Sequence, residues 1–137
     1  MKKIAILAVT ICCGITAVHA RDNAEITTAD TMAEAEILLN EVISISTELV
    51  EILESVQDKS TADAAAVQLE ALALRMDTCR RQLETAATID HAAGEQLHRQ
   101  LMASVYSLTP RFQSAVQRIV ENDFYGSIEL KNIASEL

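Results

Sequence analysis

The sequence predicts an all-α protein: an antiparallel three-helix bundle with a short C-terminal helix, or as second choice a four-helix up-and-down bundle. Three observations lead there. Apolar side chains recur at alternating steps of three and four, the spacing that lines up one stripe of a helix. Turn formers are scarce, since beyond residue 20 the only glycines and proline are Gly94, Gly126 and Pro110, too few for strands joined by tight turns. Strand-like alternation of apolar and polar residues is nearly absent.

The first element is a leader. Met1-Lys2-Lys3 precedes an apolar run from Ile4 to Ile15, and Ala17-Val18-His19-Ala20 follows before the first acidic residue, Asp22. A positive end, a short apolar run and small residues before a cut are the pattern of a secretory signal, with cleavage expected after Ala20. The run is short for a membrane span, and Ile11 before Cys12 argues against a lipidated cysteine. Residues 21–30 lack apolar periodicity and are expected to be mobile, which leaves 31–137 as one bundle domain.

Cleavage would remove Lys2 and Lys3 and leave 9 basic against 20 acidic side chains, a net charge of −11 over 117 residues. Such a surface repels phosphate backbones and anionic lipid heads, which argues against nucleic-acid binding and stable membrane insertion. Cys12 and Cys13 would leave with the leader, so Cys79 would be the single thiol, without an internal disulfide partner.

The first bundle helix is expected over 31–56. Thr31 with Glu34 three residues on forms a capping box, and Ala35, Leu38, Val42, Ile45, Leu49, Ile52 and Val56 make a continuous seam. Leu39, Ile43, Val50 and Leu53 widen it enough to touch two neighbours, with Glu34, Glu41 and Glu48 on a wetter side. Gln57 to Ser60 reads as a turn, after which Ser60 or Thr61 caps a second helix. Its seam runs Ala62, Ala65, Leu69, Leu72, Met76, Cys79, Leu83 and Ala86, and it ends near Thr88. Asp90 caps a third helix whose inner side carries Leu97, Leu101, Val105, Leu108, Phe112, Val116 and Ile119. Pro110 lacks an N–H and crowds the preceding turn, so a kink near Thr109 is expected, or else a break. Ser127 then starts an amphipathic tail with Ile128, Leu130, Ile133 and Leu137.

His91, Glu95 and His98 fall at i, i+4 and i+7 on one helical face and are the metal-ligand candidates. Glu95-Gln96-Leu97-His98 spells the Glu-x-x-His element of di-iron bundles. A second such element and further inward carboxylates are missing, and histidines seven apart stand roughly 10 Å apart along a helix, so a solvated polar face competes with the metal reading. The small soluble b-type cytochromes invite comparison through Met32, yet no histidine lies between Phe124 and Leu137 and no Cys-x-x-Cys-His motif is present. No cofactor is expected. Cys79 sits on a seam, which favours a core thiol over an interchain bridge. Arg75, Arg80, Arg81, Arg99, Arg111 and Arg118 face an acidic first helix, so interhelix ion pairs are expected. Phe124 and Tyr125 beside Gly126 are either pins for the tail or an exposed partner anchor.

Asp58-Lys59-Ser60-Thr61-Ala62-Asp63-Ala64-Ala65-Ala66 and Phe124-Tyr125-Gly126-Ser127-Ile128-Glu129-Leu130 resemble stretches of uncharacterised short exported helical proteins of Verrucomicrobia, Akkermansia-like gut bacteria among them. The resemblance covers these two segments, implies a bacterial exported bundle and supplies no active site. The sequence therefore suggests a non-catalytic interaction or scaffolding protein of the bacterial envelope or extracellular space. Its expected partner is another protein, with a homo-oligomer permitted, bound by a helix face with spare apolar width. The second reading is a carrier of a metal ion or small apolar ligand within the bundle, and an enzyme comes third.

Overall fold

The structure is a computed structural model that describes the backbone of residues 28–85 and 91–136 and the side chains of 33–82 and 95–135. It is an all-α bundle of helices α1 (Thr28–Ser55), α2 (Lys59–Thr85), α3 (His91–Glu121) and α4 (Ile128–Glu136), with a 3₁₀ turn at Asp123–Gly126 before α4. Among the described residues there is no strand, and no helix is long and apolar enough to cross a membrane.

Two buried clusters run along the bundle and fix its directions. In one, Ala35, Leu39, Val42 and Ile45 of α1 meet Leu72 and Cys79 of α2 and Leu97 and Leu101 of α3. In the other, Leu53 and Val56 meet Ala62, Ala65, Ala66 and Leu69 of α2, Ala115 and Ile119 of α3, and Leu130 of α4. The beginning of α1 thus sits beside the end of α2 and the beginning of α3, an up-down-up course. Leu49 and Ile52 pack against both clusters and join them.

α1 buries two rows at once. Ala35, Val42, Ile45 and Val56 of the expected seam are buried, and so are the flanking Leu39, Val50 and Leu53. A helix with one neighbour needs one stripe, and the second stripe exists because α2 and α3 both lie against α1.

α1 is already helical at Thr28, so Thr31 is an interior residue and its capping box with Glu34 does not mark the start. Residues 28–30 belong to the helix, which thus begins three residues before the expected bound at 31. Ala29 and Asp30 are compatible with a first turn, Asp30 favourably so near the positive helix end. The expected leader, residues 21–27 and the Asp90 cap lie outside the described residues.

α2 is capped by Asp58, two residues before Ser60 and three before Thr61. Asp58 Oδ1 accepts the Thr61 backbone N–H at 2.8 Å, and Thr61 Oγ1 accepts the backbone N–H groups of Gln57 and Asp58 at 2.9 and 3.0 Å. Thr61 therefore plays the return half of a capping box usually played by Glu or Gln. Those contacts hold the Asp58 carboxyl below its usual pKa, with the Thr61 backbone N–H as the largest cause.

α3 runs as one helix through Pro110, which sets aside the expected alternative of a break. Pro110 falls between Val105, which packs on the first cluster, and Phe112, which packs on the second. The missing proline N–H thus falls where this half-buried stretch of α3 passes from one cluster to the other. Arg118 reaches across and donates to the carbonyls of Leu53 and Glu54 at 3.2 and 2.8 Å, a cation set on the C-terminal end of α1.

The turn before α4 is the strained part of the backbone. Asp123, Phe124 and Tyr125 have φ of 48°, 56° and 53°, followed by Gly126 at 73°. Left-handed backbone costs an L-residue roughly 1–2 kcal/mol, and only Gly126 escapes that cost. The turn is held by Tyr125 N–H to the Asn122 carbonyl at 2.9 Å and Ser127 N–H to the Phe124 carbonyl at 3.0 Å. Ser127 then caps α4 by accepting the Leu130 N–H at 3.2 Å.

Leu101 is 1 % exposed, and Leu101→Ala should cost about 2–5 kcal/mol in chemical denaturation. Asp58→Ala should lower the thermal midpoint, whereas Asp123→Gly should raise it by relieving left-handed backbone at an exposed position. Thermal melts followed by circular dichroism check both signs.

Candidate interaction surface

Opposite its buried row, α2 carries a second row that nothing among the described residues covers. Ala64, Val67, Ala71 and Leu74 follow one another at steps of three, four and three, and all four are exposed. Val67 is 69 % and Leu74 73 % exposed. Large apolar side chains held open on a rigid helix at i and i+7 are the anchors that a partner helix or groove engages. Ile37, Tyr106 and Ile128 are also exposed, each on a different helix, and isolated apolar residues need no special explanation.

Ion pairs occupy the edge of this face nearest α1. Arg75 of α2 donates to Glu41 and Glu48 of α1 at 2.7 Å each. The two glutamates raise the Arg75 pKa, the hydrogen bond to Glu41 being the largest cause. Arg111 of α3 clasps Glu54 with both Nε and Nη2, and this bidentate contact is the main reason the Glu54 carboxyl titrates below its usual range. The expected α1 pairing with α2 and α3 is therefore present, and Glu41 and Glu48 are gripped rather than simply solvated. Arg80 and Arg81 both reach Asp77 within α2. These exposed pairs set register more than stability.

At the far end of α2 the Asp63 carboxylate lies between Lys59 and Ser127. Lys59 Nζ donates to Asp63 Oδ2 at 2.7 Å, the largest cause of a lowered Asp63 pKa, with the Ser127 hydroxyl second. Asp63 Oδ1 is buried without a hydrogen bond of good geometry.

The other sequence candidates take more ordinary places. Glu95 is exposed and 3.7 Å from Arg99, His98 is half-buried beside Leu97, and the His91 side chain lies outside the described residues. Among the described residues no three histidine, cysteine or acidic side chains gather as a metal site would require. Cys79 is a free thiol, 5 % exposed within the first cluster. Burial pushes its pKa up, Glu41 adds to the rise and Arg75 offsets part of it. Phe124 and Tyr125 are half-buried against the second cluster, the tail-pinning arrangement, and Lys131 Nζ stands 5.8 Å over the Phe124 ring. Met76 packs against the first cluster. An apolar cavity of about 40 Å³ lies beneath α4, lined by Leu53, Leu69, Phe112, Ile119, Leu130 and Ile133 among others. It is far below the roughly 300 Å³ or more of small-molecule pockets.

Val67 and Leu74 are the residues the sequence reading passed over. Their signal was present, since α2 carries a second row at helical spacing beside the seam that is buried, but spacing alone does not say whether that second row is left uncovered.

Cys79, studied in a Cys12→Ser/Cys13→Ser background, should react with a thiol reagent only through opening of the bundle. Its labelling should be many-fold slower than in denaturant and should speed up in Leu101→Ala. Because the carboxyl pKa values of Glu54, Asp58, Asp63 and Asp77 are lowered in the fold, their contribution is complete above the ordinary carboxylate range and lost as pH falls through their folded values. Thermal midpoints should accordingly drop on acidification below about pH 4.

No protein-family model matches this sequence, and neither a curated protein nor a solved structure matches it.

Proposed function

We propose that this protein is an exported, non-catalytic interaction protein that binds another protein through the outer face of α2. The observation that carries the reading is the uncovered row of Ala64, Val67, Ala71 and Leu74, with its two large members about 70 % exposed. A chain that needed only its own bundle would gain solubility from polar residues there, as it has at Gln68 and Glu70 in the same turns. The row is straight, rigid and clear of ion pairs on its apolar centre. These are the features that keep the ordering cost of binding low.

Export rests on the leader pattern and on the charge of the remaining chain. Acidic surfaces stay soluble and avoid nucleic acid, as an envelope or extracellular scaffold requires. The carrier reading draws little support from a cavity of about 40 Å³, because even benzene-binding cavities in proteins are near 150 Å³.

The test is a photo-crosslinking residue placed at Leu74 in producing cells, with Gln113 on the exposed side of α3 as control. A discrete adduct of one partner protein at position 74 and none at 113 is expected, on a chain whose mass begins at Arg21. Equal adducts at both positions, or none at 74, would overturn the α2 face. An intact leader on the exported chain, or retention inside the cell, would overturn export.

A further inference from the structure

We propose that α4 exchanges between two copies of this chain, each seating its Leu130 and Ile133 face in the groove that the other makes from Ala62, Ala65, Leu69 and Ile119. Three independent observations converge on α4. Its hinge is the only run of left-handed non-glycine backbone among the described residues, three in succession at Asp123, Phe124 and Tyr125. In the closed chain this strain is imposed by the sharp reversal from α3 into α4. It is released when Asp123–Gly126 extends, and short strained hinges are the setting in which segments swap between copies.

The second observation is the seat itself. α4 has nine residues, too few to hold a helix alone in water, so it must dock somewhere. Its anchor Leu130 is 2 % exposed, yet an apolar cavity of about 40 Å³ remains beside it, so the closed-chain fit is incomplete. The third is that the helix-to-groove contacts of Leu130 and Ile133 come from residues beyond the hinge. Lys59 of α2 lies close enough to Glu129 of α4 to be influenced by its charge, and the alanine-lined groove meets Leu130 wherever that leucine comes from. Four extended residues span roughly 13 Å, enough for α4 to leave its own groove and enter a neighbour's. Exchange therefore keeps the contacts of Leu130 and Ile133 with the groove, and gives up the turn bonds of Tyr125 and Ser127, the Lys131 to Asp123 pair of 3.0 Å and the closed-turn packing of Phe124 and Tyr125 on the cluster. The net charge of −9 opposes association, so the exchanged dimer should gain population as salt screens it.

The experiment refolds the full chain at low and high concentration in moderate salt and measures mass by light scattering on a sizing column. High concentration should yield a dimer that persists for hours after dilution, because both α4 helices must undock to release it. An equal mixture of isotope-labelled and unlabelled chain, refolded together and treated with a carbodiimide, should give Lys59–Glu129 crosslinks that join labelled to unlabelled chains in the dimer. Asp123→Gly/Tyr125→Gly, which removes the left-handed cost at two of the three positions, should reduce the dimer fraction by about tenfold or more with helix content retained. Val67→Lys/Leu74→Lys should leave the dimer in place. Monomer at every concentration, Lys59–Glu129 crosslinks confined to single chains, or a dimer abolished by the α2 substitutions would overturn the exchange, the last in favour of a face-to-face dimer. Should the glycine variant fail to fold, the crosslink pattern of the unmodified chain decides alone.

Discussion

α1 has to bury two apolar rows at once, and the bundle is arranged around that requirement. Leu39, Val50 and Leu53 are buried along with Ala35, Val42 and Ile45, so no single neighbour can cover the helix. α2 and α3 take its two sides, and their ion pairs to α1 follow from that placement. Glu41, Glu48 and Glu54 lie where Arg75 and Arg111 can reach them, and Arg118 closes the carbonyl end of α1. An acidic helix that would repel itself in a parallel pair is made compatible with its neighbours by four interhelix contacts of arginine. The apolar rows set the packing, and the charges set which residue stands against which.

The arrangement leaves α2 with an imbalance that has functional weight. Its inner row of Ala62, Ala65, Ala66 and Leu69 is small-sided, which lets α1 and α3 come close and leaves room at one end for α4. Its outer row carries larger apolar groups than a solvated face calls for. Val67 and Leu74 stand exposed on that outer row while Leu69, Leu72 and Cys79 are buried on the inner one, and exposed large apolar groups at helical spacing are the feature on which the proposed partner contact rests. Cys79 belongs to the inner side and is shielded by the same packing. Its raised pKa agrees with a thiol that serves as a small apolar group.

The end of the chain is held by different means. α4 is short, and its docking rests on Leu130, on the ring of Phe124 and on a turn whose backbone is unfavourable for three of its four residues. The aromatic pair supplies burial that offsets part of the backbone cost, which is why Phe124 and Tyr125 are half-buried and not displayed. Stability along this protein is therefore uneven: the α1 seams are firm and the α4 seat is the part most ready to open.

The sequence by itself determined the fold class, the three long helices, the proline inside the third and the seam position of Cys79, because each depends on local spacing and on the chemistry of single residues. It also determined the acidic character and the likeness of residues 1–20 to a leader. The inward seam of α2 was legible in its spacing, whereas only the tertiary structure left the second row of Ala64, Val67, Ala71 and Leu74 exposed, since periodicity does not say whether another element covers a row. The tertiary structure moved the α2 cap to Asp58, because a threonine can return the bond that a glutamate usually gives. It also placed Arg75 between Glu41 and Glu48, and revealed the left-handed turn at Asp123–Gly126. That turn arises from the need to bring Leu130 back onto α2, a constraint that acts between elements distant in sequence and leaves no periodic trace in the chain.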